Sequence, residues 1–268
     1  RERDSASETG DEPLLLARAA PTLIARDRRA GAIAIETASA DPQGRCPTVI
    51  VMDDGLQNPV LIKDFTAAIV DAERGLGNGE VIPAGPLRME IDDQLPLADA
   101  IVVNSRNVTG QGAETIEAKQ LQQMRREFPG PVLAAHTEPR GDLGWLSSQP
   151  LLAFAGIANP ERFFTLLERH GGEVVQRAIF KDHHAFSTLD ATRLLDMGTT
   201  LQAQLVTTEK DYVRLQDGAA ELSALKAATR TVGICSKLIG SDAQRLDALL
   251  AAALSSGGYR SGLQQHLK

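Results

Sequence analysis

The sequence predicts an α/β fold of two lobes, and three observations carry that reading. Short, near-continuous apolar runs recur along the chain. Helical patterns with recognisable start signals lie between them, and one stretch rich in turn formers, 136–149, interrupts the alternation. Apolar runs of this kind suit strands of a parallel sheet covered on both faces. In such sheets functional groups gather at the carboxyl ends of the strands.

Taken in order, Asp11-Glu12-Pro13 puts two acids at the start of a helix over LLLARAA, where they favour the helix dipole. Arg26-Asp27-Arg28-Arg29 is a basic cluster following TLIA, a solvated face or a contact for phosphate or a membrane surface. TVIVM (48–52) reads as a buried strand ending in Asp53-Asp54. Apolar residues ending in acids are one way to fix a carboxylate beside Mg²⁺, an ion that takes oxygen ligands. Asp-Gly is also an ordinary turn. A second strand, AAIVDA (67–72), leads into GLGNGEVIPAGPLR (75–88). Its glycines let backbone amides approach a ligand, and Arg88 can pair with phosphate. It is equally a long surface loop, and it is no Walker A sequence: the Gly-Lys-Ser/Thr ending occurs nowhere in the chain.

AIVVN (100–104) and PVLAA (131–135) are further strands. HTEPRGDLGWLSSQ (136–149) reads as the linker. The second lobe then begins near Leu151 with LLAFAGI (151–157). Asn159-Pro160, a cap followed by proline at the first helical position, launches a helix that stops at Gly171-Gly172. The strand VVQRAIF precedes Asp182-His183-His184. Adjacent histidines in a strand point to opposite faces, so one of them can reach a given site, as a proton acceptor oriented by a carboxylate. Ser187 with Asp190 predicts a capping box for the next helix. QLVTT (204–208) and TVGIC (231–235) complete the strands, Ser241 opens a last helix, and the polar tail frays. The domains expected are 1–140 and 141–268, with the C-terminal helix returning to the first.

Composition narrows the function. Of 268 residues, 28 are Lys or Arg and 35 Asp or Glu, a net charge of −7, and aromatics make up 4%. That balance argues against nucleic acid as a partner but leaves room for an anionic substrate held by local basic groups. Cys46 and Cys235 read as reduced core thiols. No run reaches the ~18 apolar residues of a membrane span, and no signal peptide opens the chain.

Together the blocks say more than they do singly. GDEPLLLA (10–17), ARDR (25–28), VIVMDDGLQNP (49–59), VDAERGLGNGEVIPAGPLR (70–88), ADAIVVN (98–104), FAGIANPERFF (154–164), FKDHHAF (180–186) and LVTTEKDYVRL (205–215) follow one another as in the tetraacyldisaccharide 4′-kinases, which the chain resembles over most of its length. The resemblance implies a P-loop α/β lobe joined to a smaller α/β lobe. It implies transfer of the ATP γ-phosphoryl group to the 4′-hydroxyl of a lipid A disaccharide precursor, with Mg²⁺, at the cytoplasmic face of a bacterial inner membrane. No obligate protein partner is implied.

By position, Asp11 matches the catalytic base, acting with His183, and Glu12 is its neighbour. Asp53 and Asp54 match the Mg²⁺-associated pair, and Gln57 follows in the same motif. Arg88 matches the phosphate-facing arginine, with Arg26 and Arg28 as further phosphate contacts. Asn58 and Met89 depart from the family pattern. The family's Walker A loop and membrane-contacting helix would precede Gly10, so the chain alone is expected to have little or no kinase activity. Two other classes stay open: a non-catalytic lipid- or partner-binding relative, and another metal-dependent transferase.

Overall fold

A computed structural model of the chain describes residues 9–37, 47–105, 113–215 and 219–256. The segment containing Cys46 and the tail after Ser256 lie outside the described residues. The chain divides into two units, each made from separate stretches: Arg1–Ile24 with Pro139–Ile234, and Ala25–Glu138 with Cys235–Lys268. The first 24 residues thus group with the second half of the chain, not with the lobe expected to end at 140. The C-terminal stretch groups with residues 25–138.

The first unit contains α1 (Asp11–Leu16), β4 (Leu151–Ala155), α5 (Pro160–Arg169), β5 (Val174–Ile179), α6 (Thr188–Leu201), β6 (Gln204–Thr208), α7 (Glu209–Arg214), α8 (Ala220–Ala228) and β7 (Thr229–Val232). Its four strands lie in the order β5-β4-β6-β7, all parallel. β4 is central, and its five side chains are all buried. Period-two alternation sends Leu151, Ala153 and Ala155 to one face, against Phe163, Phe164 and Leu167 of α5. Leu152 and Phe154 go to the other, against Ala191 and Leu194 of α6 and Leu225 of α8. Both faces are covered, as the unbroken apolar run LLAFA requires.

Ser187 caps α6 with the full reciprocal box: its hydroxyl accepts the Asp190 amide at 3.2 Å, and the Asp190 carboxylate accepts the Ser187 amide at 2.9 Å. Asn159 stands at the cap of α5 with Pro160 behind it, but its side chain makes no capping bond.

The second unit contains α2 (Arg28–Thr37), β1 (Ala67–Asp71), α3 (Ile91–Gln94), β2 (Ala100–Ser105), α4 (Ala113–Glu127), β3 (Val132–Pro139), β8 (Ile234–Leu238) and α9 (Asp242–Ser256). Its strand order is β1-β2-β3-β8, with β1, β2 and β3 parallel. Ile101 and Val103 pack with Met124 and Phe128 on one face. Val102, Leu133 and Ala135 meet Leu238 and Leu246 on the other.

Three sequence expectations are corrected. TVIVM (48–52) is irregular rather than a strand, and Val49, Ile50 and Val51 are exposed. A strand exists through its ladder, and no described strand pairs with this run. TVGIC (231–235) is two strand ends, β7 and β8, which break at Gly233 and enter different sheets. A side chain at Gly233 would meet the Glu209 carboxylate at about 2.5 Å. The linker 136–149 is partly structured. Residues 136–139 continue β3, and Leu146, in a 3₁₀ turn over Gly144–Ser147, is fully buried in the core.

Candidate active site

The parallel sheet of the first unit brings three chain turns to one edge. Gly156 follows β4, Asp182-His183 follows β5, and α7 begins where β6 ends. α1 packs on α7 and delivers Asp11 there, buried at the first helical position.

Arg214 ties these pieces together. One guanidinium nitrogen, Nη1, donates to the Gly156 carbonyl at 2.7 Å and to Asp211 Oδ1 at 3.0 Å. The other, Nη2, donates to Asp11 Oδ2 and, at 3.1 Å, to His183 Nδ1. Asp211 is fully buried; its other oxygen accepts the Thr208 hydroxyl at 2.8 Å, and its amide bonds back to that hydroxyl at 3.0 Å. Thr208 thus caps α7 and fixes Asp211 in one step. A Cβ at Gly156 would lie 3.0 Å from the Lys181 carbonyl oxygen and 3.2 Å from both Asp211 Oδ1 and the His184 Cβ, so any side chain there would press on these neighbours by a few tenths of an ångström.

The two buried carboxylates respond oppositely. Burial pushes Asp11 up, but the hydrogen bond and charge of Arg214, with Lys210 further off, outweigh it and hold Asp11 below the usual carboxylate range. For Asp211 burial prevails over the Thr208, Gly156 and Arg214 contacts, and its pKa is raised. Glu12 reaches outward to Lys210 at 2.8 Å, an exposed pair.

The histidines sit in a turn, not in a strand. His183 adopts φ 57°, an αL conformation uncommon for residues other than glycine. The two rings still part company, as expected. His183 meets Arg214, with Asp11 Oδ2 at 3.9 Å. His184 bonds the Asp190 carboxylate at 3.0 Å and stacks on Phe180. The immediate Nδ1 partner of His183 is therefore a guanidinium rather than the orienting carboxylate foreseen.

The remaining candidates belong to the second unit. Asp53 and Asp54 form an exposed turn, with Asp54 at φ 52°. Arg88 grips Asp54 with bonds of 3.0 and 2.7 Å. Lys63 donates to the carbonyl of Asn58 at 2.6 Å and holds the following loop. Gln57 donates to Gln94 at 2.9 Å. The 75–88 loop is fixed by its own backbone: Asn78 donates to the Ala84 carbonyl at 2.9 Å, and Gly77 (φ 65°) leaves no room for a Cβ against Pro86. Arg26 and Arg28 are exposed at the start of α2, where Asp27 accepts the amides of Arg29 and Ala30. Two adjacent exposed carboxylates are hard oxygen donors that fit Mg²⁺, with Asp54 sharing its charge with Arg88. Among the described residues no three acidic, His or Cys side chains cluster as a metal cage.

No local pattern marks Arg214 and Asp211 as site residues, although both lie in the block LVTTEKDYVRL (205–215). The nearest signal is Thr-x-x-Asp at a strand end followed by an arginine one turn on.

A family model described as tetraacyldisaccharide-1-P 4′-kinase matches residues 1–255. Proteins named tetraacyldisaccharide 4′-kinase are similar to the chain: that of Methylobacterium nodulans at 45% identity, covering 80% of this chain and 59% of the relative, and that of Rhodospirillum centenum at 41%, covering 94% and 68%. The chain spans about three fifths of the length of the first curated relatives it matches. Among solved structures, LpxK from Aquifex aeolicus in complex with ATP superposes with a TM-score of 0.64 at 23% identity, over 94% of this chain and 71% of that one. This likeness is one of fold. No helix among the described residues is long and apolar enough to cross a membrane.

Proposed function

The chain belongs to the tetraacyldisaccharide-1-P 4′-kinase family, and from that premise we propose that it serves ATP-dependent phosphorylation of the 4′-hydroxyl of a tetraacyldisaccharide 1-phosphate, the lipid A precursor, at the cytoplasmic face of an inner membrane. The observation that carries the reading is Asp11: a buried carboxylate, held ionised by Arg214 and within 3.9 Å of an imidazole nitrogen of His183. A carboxylate of this kind can accept a proton from a sugar hydroxyl.

Phosphoryl transfer mainly needs positioning and charge neutralisation. Asp11, with His183 beside it, takes the 4′-hydroxyl proton. Asp53 and Asp54 are the residues that would hold Mg²⁺, which when bound offsets charge on the phosphoryl oxygens. Arg88, paired with Asp54, faces phosphate, and Arg26 and Arg28 add positive charge for donor or lipid. Glu12 and Gln57 orient neighbours rather than react. Peripheral contact with the membrane surface follows from the substrate, which is a lipid.

The test is transfer from radiolabelled ATP to the lipid disaccharide 1-phosphate, with Mg²⁺, by a full-length kinase that contains this sequence together with a Walker A segment. Asp11→Ala should lower turnover by roughly 10²–10⁴-fold, the usual contribution of a general base. Turnover within a few-fold of the parent would remove Asp11 from that role.

A further inference from the structure

In the reaction outlined above Arg214 serves only to hold Asp11 ionised, yet its position restricts what Asp11 and His183 can each do. A guanidinium has donors and no acceptor, and it stays charged at any working pH. Its Nη2 group lies 3.1 Å from His183 Nδ1. For that contact to be a hydrogen bond, Nδ1 must carry the lone pair, so the ring proton sits on Nε2. The same nitrogen donates to Asp11 Oδ2, so that oxygen is an acceptor and not a protonated acid.

We infer that Arg214 is a positioning residue that divides the labour between the two groups: it keeps Asp11 as the proton acceptor and His183 as a neutral imidazole that presents Nε2–H as a donor. The inference rests on the proposed phosphoryl transfer only for its consequence, that His183 gives a hydrogen bond to an oxygen of substrate or phosphate while Asp11 takes the proton. The arrangement is built rather than incidental. Arg214 is itself buried, with 7% of its side chain exposed, and is anchored on the far side by Asp211 and the Gly156 carbonyl. Asp211 is anchored in turn by Thr208.

Other charged groups around the cluster are committed elsewhere or lie further off. Glu12 pairs with Lys210, Arg18 lies 3.9 Å from Glu209, His184 pairs with Asp190, and Asp182 stands 3.9 Å from the opposite ring nitrogen, Nε2, of His183. Asp182 is an acceptor, so it too favours the proton on Nε2. Lysine at 214 would keep the charge but lose the fork, since one ammonium cannot serve Gly156, Asp211, Asp11 and His183 together.

The experiment is nitrogen NMR of the resting chain labelled with ¹⁵N-histidine, the His183 signals being assigned by comparison with His183→Gln. The expected result is an unprotonated Nδ1 and a protonated Nε2 for His183, with that preference lost in Arg214→Lys while His184 keeps its signals. His184 reports that the fold has survived, because it bonds the Asp190 carboxylate that caps α6. Arg214→Gln repeats the comparison without the charge, in case the lysine variant does not fold. A His183 protonated on Nδ1 in the parent chain overturns the inference, as does an unchanged preference in the folded variant. Neither readout needs ATP or lipid, so their failure leaves the kinase reading intact, and loss of that reading shows instead in the Asp11→Ala turnover.

Discussion

At the scale of single residues, the first unit solves a charge problem that its sequence poses. Two carboxylates are buried within hydrogen-bond reach of one guanidinium, and a charge left there unpaired would be costly. Asp11 is the member whose ionisation is tied to folding. Its folded pKa lies below the ordinary 3.8, so its contribution to stability is present above that value and is lost as pH falls through the lower folded one. Acid titration of unfolding should therefore show a loss of stability below about pH 4 that Asp11→Asn lacks. Parallel curves for the two proteins would contradict the pairing with Arg214. The same scale holds the metal-facing pair. Changing Asp53 and Asp54 together to Asn should abolish Mg²⁺-dependent nucleotide binding in calorimetry while leaving the unfolding transition near its parent value, because both side chains are exposed. Retained Mg²⁺ dependence would place the metal elsewhere.

At the scale of elements, local signals read well where the backbone had a chemical instruction. The Ser187–Asp190 box was legible from spacing alone, and both of its hydrogen bonds form. Ser187→Ala should cost about 1 kcal/mol of stability by denaturant titration, the usual worth of such a cap; no change would show α6 held by packing alone. Asn159-Pro160 was equally legible as a helix start, and Pro160 does open the helix, but the Asn159 side chain makes no capping bond. TVIVM shows the limit of periodicity. Five apolar residues fit a buried strand, but a strand needs a neighbour, and local sequence does not encode which neighbour is present. The histidine turn shows the same limit in reverse: the two rings diverge, but through a left-handed residue at 183 rather than through strand alternation.

At the scale of the whole molecule, each unit is discontinuous in sequence. The sheet of residues 25–138 is completed by β8, and its outer face by α9. The Ala134 amide donates to Asp242 at 2.8 Å, and Leu238 and Leu246 cover Val102 and Leu133. A chain ending at Ile234 should therefore lose hydrogen-exchange protection across β2 and keep it in β4, whose partners all lie between 151 and 232. Undiminished protection of β2 would mean that β8 and α9 are dispensable.

Legible along the chain were the α/β class, six of the strands, the helix that Ser187 starts, and, through the order of its motifs, the family and the candidates Asp11, Asp53, Asp54, Arg88 and His183. These depend on residue type and short spacing, which a linear reading captures. Folding in three dimensions supplied the rest: residues 9–24 join the second half of the chain, TVGIC breaks at Gly233 between two sheets, and Arg214 stands between Asp11 and His183. The reason is physical. Arg214 and Asp11 are about two hundred positions apart, and what unites them is the shared carboxyl edge of a parallel sheet, a property of strand order that no local pattern contains.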